Sequence, residues 1–156
     1  MTANIPGDSA ITRHRITFFI KAAEAAQRTL TEPHLKKVGL TYVQFAMLMS
    51  IDRLPRASAA ELARRIGITP QSVGEIIAAL LRKGLVSRSE DESSRRILRL
   101  GLRPAGKKLL AEAEAMLDRI EREWTGGIDP ADLATTKAVL AALVRRGAGP
   151  GALPDA

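Results

Sequence analysis

Two groups of side chains in this 156-residue chain have the types and spacing for polar recognition chemistry. The first is Gln71 and Ser72, directly behind Thr69 and Pro70; the second is the pair Arg95-Arg96, with Arg88 a few residues upstream. A glutamine amide both donates and accepts, as the edge of an adenine requires, and a serine hydroxyl bonds a base or a phosphate. The N–H groups left open at a helix start hold a phosphate. An arginine at a hairpin tip fits a narrow minor groove, where negative potential is concentrated. The competing reading of the arginine pair is an ion pair with Glu90, Asp91 or Glu92 across the turn. Exposed pairs of that kind contribute only about 0–1 kcal/mol, so stability is a weak reason for them.

Such side chains need rigid elements beneath them, and the flanking sequence supplies helix signals. Ser58 and Glu61, three residues apart, form a capping box ahead of Leu62 and Ile66, and Gly67 closes that short helix. Thr69 caps the next helix, with Pro70 at its first position, where a missing N–H does no harm. From Val73 the apolar residues Ile76, Ile77, Leu80 and Leu81 form one stripe. Gln71, Ser72, Gly74, Glu75, Ala78 and Arg82 fall on the opposite face, and Gly84 stops the helix. Two short period-two segments, 86–88 and 98–102, then flank the polar run 89–94 and predict a hairpin. Two capped helices, a tight turn and a basic hairpin make a winged helix-turn-helix, whose second helix presents its first residues to the major groove.

Four further helices are expected around that centre. One runs from about Asp8 or Ser9 to about Leu30 and is ended by Pro33; a second, largely buried, is capped by Thr41 with Gln44 and reaches Pro55. A long one opens at Pro104 with the stripe Leu109 or Leu110, Ala113, Met116 or Leu117, Ile120 and Trp124, and the last starts at Asp129-Pro130. Residues 147–156, rich in Gly and Pro, read as a frayed tail. The expected class is therefore mainly α, about six helices plus a small two- or three-stranded sheet with a wing.

Charge supports the central segment. Between Arg56 and Arg103 there are ten Lys or Arg against five acids, a surplus of five in a chain whose net charge is +7. The excess thus gathers where the recognition side chains lie. Without cysteine there is no disulfide or thiolate nucleophile, and two histidines make a zinc site an unpromising reading, so no metal or cofactor is expected. No Gly-rich phosphate loop is present and no histidine stands near a nucleophile and an acid in sequence, which argues against an enzyme. Residues 1–10 lack a signal-peptide pattern and no apolar run reaches the roughly 18 residues of a membrane span, so a cytoplasmic protein is expected.

Taken together, these residues resemble the MarR family of bacterial winged helix-turn-helix transcription regulators. The likeness is carried by Glu61-Leu62-Ala63 with Ile66-Gly67-Ile68, by Leu80 through Val86, and by Arg88, Asp91, Arg95-Arg96, Leu98, Leu102 and Pro104-Ala105-Gly106. The resemblance implies a homodimer in which residues 8–40 and 104–146 interlock, residues 41–103 read a pseudopalindromic double-stranded operator, and a small aromatic or phenolic effector releases the DNA. Ser58, Thr69, Pro70, Gln71, Ser72, Gly74, Glu75, Arg82, Arg88, Arg95 and Arg96 would then meet DNA. His14, Phe18, Phe45, Met49 and Met116 are candidates for the effector pocket, ordinary core or surface packing being the other reading of each. Ile11, Leu117, Ile120, Trp124, Leu133, Leu140 and Leu143 are candidates for the dimer interface. The chain departs from the family at Ser93-Ser94, where an acid is usual before the arginine pair, and at Glu75, where the position is often basic or neutral. The alternative is a winged-helix module that holds a protein partner without operator specificity.

Overall fold

Each central helix starts where a side chain can satisfy the N–H groups that a helix leaves open. In the computed structural model, which describes residues 14–54, 57–91 and 94–148, and of residues 90–91, 94–99 and 148 the backbone alone, there are six helices and one hairpin. They are α1 (Ile16–Lys37), α2 (Tyr42–Arg53), α3 (Ala59–Ile66), α4 (Pro70–Arg82), β1 (Val86–Asp91), β2 (Ser94–Leu102), α5 (Pro104–Trp124) and α6 (Pro130–Ala148). Both capping boxes close on both sides: Gln44 N donates to Thr41 Oγ1 at 3.2 Å and Glu61 N to Ser58 Oγ at 3.3 Å, while Gln44 and Glu61 accept from the cap residues' own N–H. Thr69 Oγ1 accepts from Ser72 N at 3.2 Å. Each such cap is worth about 1 kcal/mol.

The helices stop as deliberately as they start. Gly84, at φ +67°, follows α4, its N–H donating to the Leu81 carbonyl at 2.9 Å while Leu85 N donates to the Leu80 carbonyl at 3.1 Å. That paired closure brings Leu80 and Leu85, both buried, together beneath the turn. The same closure ends α1 at Gly39, with Leu40 N on the Leu35 carbonyl at 2.9 Å.

Three boundaries differ from the sequence expectation. The anticipated start of the first helix near Asp8 lies outside the described residues; α1 as described begins at Ile16, after Arg15, whose backbone is extended (φ −66°, ψ 144°). Pro33 does not end the helix but sits inside it. Leu35, two residues on, is fully buried and Thr31 nearly so, while Pro33 and Thr29, whose carbonyl loses its helical partner, are exposed. Burial of Leu35 thus outweighs a lost bond on the solvent side. Gly147, expected in the tail, is the penultimate residue of α6; residues 149–156 are outside the described part.

α2 lies at the middle of one core cluster. Its Phe45, Met47, Leu48 and Ile51 pack with Leu35 and Leu40, Leu62 and Ala63 of α3, Val73 and Leu80 of α4, Leu85 and Val86, and Leu110 and Ala113 of α5. Among its described residues α6 buries none. The two strands are antiparallel, Val86 opposite Leu102 and Glu90 opposite Leu98, and they run further into the polar segment than the alternation predicts. The hairpin is locked onto α5: Arg103 N donates to the Leu85 carbonyl at 3.0 Å, and a Cβ on buried Gly106 would run into that same carbonyl. Only glycine permits α5 to start this close to the strand.

Candidate nucleic-acid interface and adjoining cavity

The arrangement of α3 and α4 exposes a coherent edge. α4 buries Val73 and Leu80 and half-buries Ile76, Ile77 and Leu81, so that Gln71, Gly74, Glu75 and Arg82 are turned to solvent. Ser58, Thr69 and Pro70 are exposed at the two helix starts. Ser72 is half-buried, and its hydroxyl lies 2.9 Å from that of Thr69, so it completes the cap as well as flanking the exposed edge. Gln71 is therefore the first-turn side chain left with an uncommitted polar end among the described residues. The Glu61 carboxyl is held below its ordinary range, chiefly by the hydrogen bond from the Ser58 hydroxyl and then by that from the Ser58 N–H.

Arg88 is exposed on β1, opposite Leu100. Beyond it the ladder is irregular: Glu90 pairs with Leu98 but Asp91 pairs with Ser94, so Arg95, Arg96 and Ile97 form an extra segment of β2 with no partner on β1. A bulge of this kind bends a strand and re-aims what it carries. The side chains of Arg95 and Arg96, and their expected pairing with Glu90, Asp91 or Glu92, lie outside the described residues.

One polar tie was not read from the sequence. Lys83, just after α4, donates from Nζ to the Gly39 carbonyl at 2.6 Å and to Gln44 Oε1 at 2.9 Å. The end of α4 is thereby fastened to the end of α1 and to the capping residue of α2. A lysine in a Leu-Arg-Lys-Gly run carries no local signal of that role; its partners are 44 and 39 residues away.

Behind this face a cavity of about 650 Å³ opens between α1, α2, α5 and α6. Of the five proposed pocket residues, Phe45 and Met49 form part of its wall; His14, Phe18 and Met116 do not. The His14 ring stacks on Phe18 (centroids 5.0 Å apart) at the exposed start of α1, more than a turn before Ala23, the first α1 residue of the wall. Met116 packs against the core instead. Five of the residues put forward for the dimer interface, Leu117, Ile120, Trp124, Leu133 and Leu140, line the cavity. Leu143 is exposed on α6, and Ile11 lies outside the described residues. The charged members of the wall went unnoticed in the sequence: Arg53 of α2 pairs with Glu114 of α5 at 3.5 Å, and Lys137 of α6 with Glu121 of α5 at 3.0 Å. Their signal was available in part, since Glu114, Asp118 and Glu121 recur at helical spacing.

Residues 40–98, from the start of α2 almost to the end of the hairpin, match the sequence profile of the MarR family. Residues 40–98 are a MarR-family segment, and it is the one that holds the helix pair and most of the hairpin. The chain's likeness to solved MarR-family structures extends well beyond that segment. The S. aureus MepR–DNA complex superposes with a TM-score of 0.73 at 18% identity, covering 85% of this chain and 98% of the other. A Mycobacterium tuberculosis MarR family protein in complex with salicylic acid gives 0.71 at 27% identity, covering 83% and 96%. The transcriptional regulator SlyA gives 0.78 at 17% identity, covering 88% and 97%. The MarR family is one of transcription regulators rather than enzymes. Among the described residues no helix is long and apolar enough to cross a membrane.

Proposed function

We propose that this MarR-family chain is a cytoplasmic, homodimeric transcription repressor that holds a pseudopalindromic operator and is released from it by a small aromatic ligand. The observation that carries the reading is the exposed start of α4, capped by Thr69 and offering Gln71, beside a basic hairpin in a chain of this family. The start of α4 would enter the major groove and the Arg95-Arg96 bulge of β2 would reach the neighbouring minor groove. Residues 41–103 would serve as the DNA-reading part, with the outer helices joining two copies so that their α4 helices are about one helical turn of DNA apart. In support, the MepR structure is a complex with DNA and the M. tuberculosis protein is a complex with salicylic acid. The cavity is of a size that suits a small ligand and borders both α2 and the outer helices, so an occupant would act on the element that Lys83 ties to α4.

The test is an anisotropy titration of labelled duplexes from the region upstream of the protein's own gene. Saturable binding that prefers one duplex and weakens as salt rises supports the reading. Binding to no duplex, with retention of a protein partner by an Arg95→Ala/Arg96→Ala variant, would leave the interaction-module alternative in its place.

A further inference from the structure

We propose that Gly74 is a positioning residue for base reading: with no side chain on the exposed face of α4, the helix settles close enough to the groove floor for Gln71 and Glu75 to reach base edges. The proposal rests on the operator reading above and deepens it by naming what sets the depth of α4 in the major groove. Glycine is the poorest helix former after proline, because it gives up the most backbone freedom on folding. Elsewhere the fold shows why it uses glycine. Gly84 has a φ of +67°, and a Cβ on Gly106 would run into the Leu85 carbonyl. Neither reason applies to Gly74. It lies well inside α4 with a helical backbone, and a Cβ there would meet nothing within 4 Å. Gly147 has the same open space, but it is the penultimate residue of α6, where a helix frays in any case. Alanine at 74 would therefore fit this chain and favour the helix, so the reason for the glycine lies in what α4 approaches.

The neighbours of Gly74 say what that is. Gln71 stands one turn before it and Glu75 directly after it, and the three share the exposed side of the helix. None of the three is basic. Phosphates repel a carboxylate such as Glu75, whereas the amino group of cytosine donates to one, and the edge of adenine matches the amide of Gln71. This turn of α4 is thus suited to base edges, and the phosphates fall to the helix start and the basic hairpin. Depth is critical for such contacts, since a hydrogen bond tolerates only about 0.5 Å in length. A methyl group at 74 adds a whole atom to the face between Gln71 and Glu75 and holds both side chains off the bases. Contacts to phosphate at the ends of the interface reach further and are affected less.

The test is Gly74→Ala in the full chain, compared with the parent by thermal melting and by anisotropy titration. The duplexes are the preferred one from upstream of the gene and a scrambled one of the same composition. The variant is expected to melt about 2–4 °C higher than the parent, as a glycine replaced by alanine in an unstrained helix should. Its preference for the upstream duplex over the scrambled one should fall at least fivefold. Affinity for the scrambled duplex, and its dependence on salt, should stay within twofold of the parent's. A gain in stability joined to a loss of preference is a result that a merely structural glycine cannot give. Undiminished preference in the variant, an equal loss of affinity for both duplexes, or a lower melting temperature overturns the proposal while the operator reading stands. A parent that prefers no duplex overturns the operator reading and this proposal with it.

Discussion

Leu48, Leu80 and Val86 in the centre of the molecule are withdrawn from solvent, whereas Val139, Leu140, Leu143 and Val144 along α6 all lie open to it. The contrast holds for whole elements. α2 buries five of its 12 residues and is capped at its start by a closed box; α6 is almost as apolar in composition and buries none of its described residues. The first turns of α1 behave like α6, with Ile16, Phe18, Phe19 and Ile20 exposed. α5 passes from one condition to the other along its length: Leu110 and Ala113 are buried, Leu117 and Ile120 are half-buried, and Trp124 is 43% exposed. The winged-helix centre satisfies its own apolar surface, and the outer helices carry an apolar surface with no cover in one copy of the chain. Exposed apolar residues gathered on these helices are what supports the proposed pairing of two copies through them.

The largest effect that would break this contrast is expected on α6. Replacing Val139 and Leu143 together by Glu puts charge on the open face without touching the core, so sedimentation should find monomer where the parent forms a dimer, with unchanged helical content. A parent that is already monomeric would show that the outer helices do not serve as an association surface. Within the centre, Gly106→Ala forces a methyl group against the Leu85 carbonyl. A loss of about 1–3 kcal/mol is expected from that overpacking, read as an earlier midpoint in urea unfolding. An alanine of parental stability would mean that α5 and the hairpin are not locked together.

The smallest effect concerns pH. Hydrogen bonds from Ser58 lower the Glu61 carboxyl from its ordinary value of 4.5, so the folded state favours the charged form. The stability this contributes is present above the unfolded value and is lost as pH falls through the lowered one. The melting-temperature gap between the parent and Ser58→Ala should accordingly stay constant near neutrality and narrow in acid. A gap that widened in acid would contradict the role given to the capping box.

The centre was legible because its signals are local. Thr41 with Gln44, Ser58 with Glu61, and Thr69 with Pro70 mark helix starts within four residues, and the structure closes each of these caps. Pro33 misled for the same reason: the rule that proline ends a helix is local, and the burial of Leu35 that overrides it depends on elements far along the chain. The cavity was legible only in part. Residue type alone points to Phe45 and Met49, which line the cavity, but equally to His14, just before α1, to Phe18 in its first turn, and to Met116, which packs against the core. The pairing of Lys137 with Glu121 requires α5 and α6 to be set side by side, and no spacing within either helix states that. The arginine pair was found by charge, while the register break that sets Arg95 and Arg96 apart from the ladder is a property of the paired strands.

The central claim, that two copies of this winged helix together read a DNA site, is tested most directly by the stoichiometry and salt dependence of duplex binding. Anisotropy titrations with duplexes from upstream of the gene, repeated at several salt concentrations, should give one preferred duplex that saturates at two chains. Its affinity should fall steeply as salt rises. Saturation at one chain per duplex, or the same affinity for every sequence, would contradict the account.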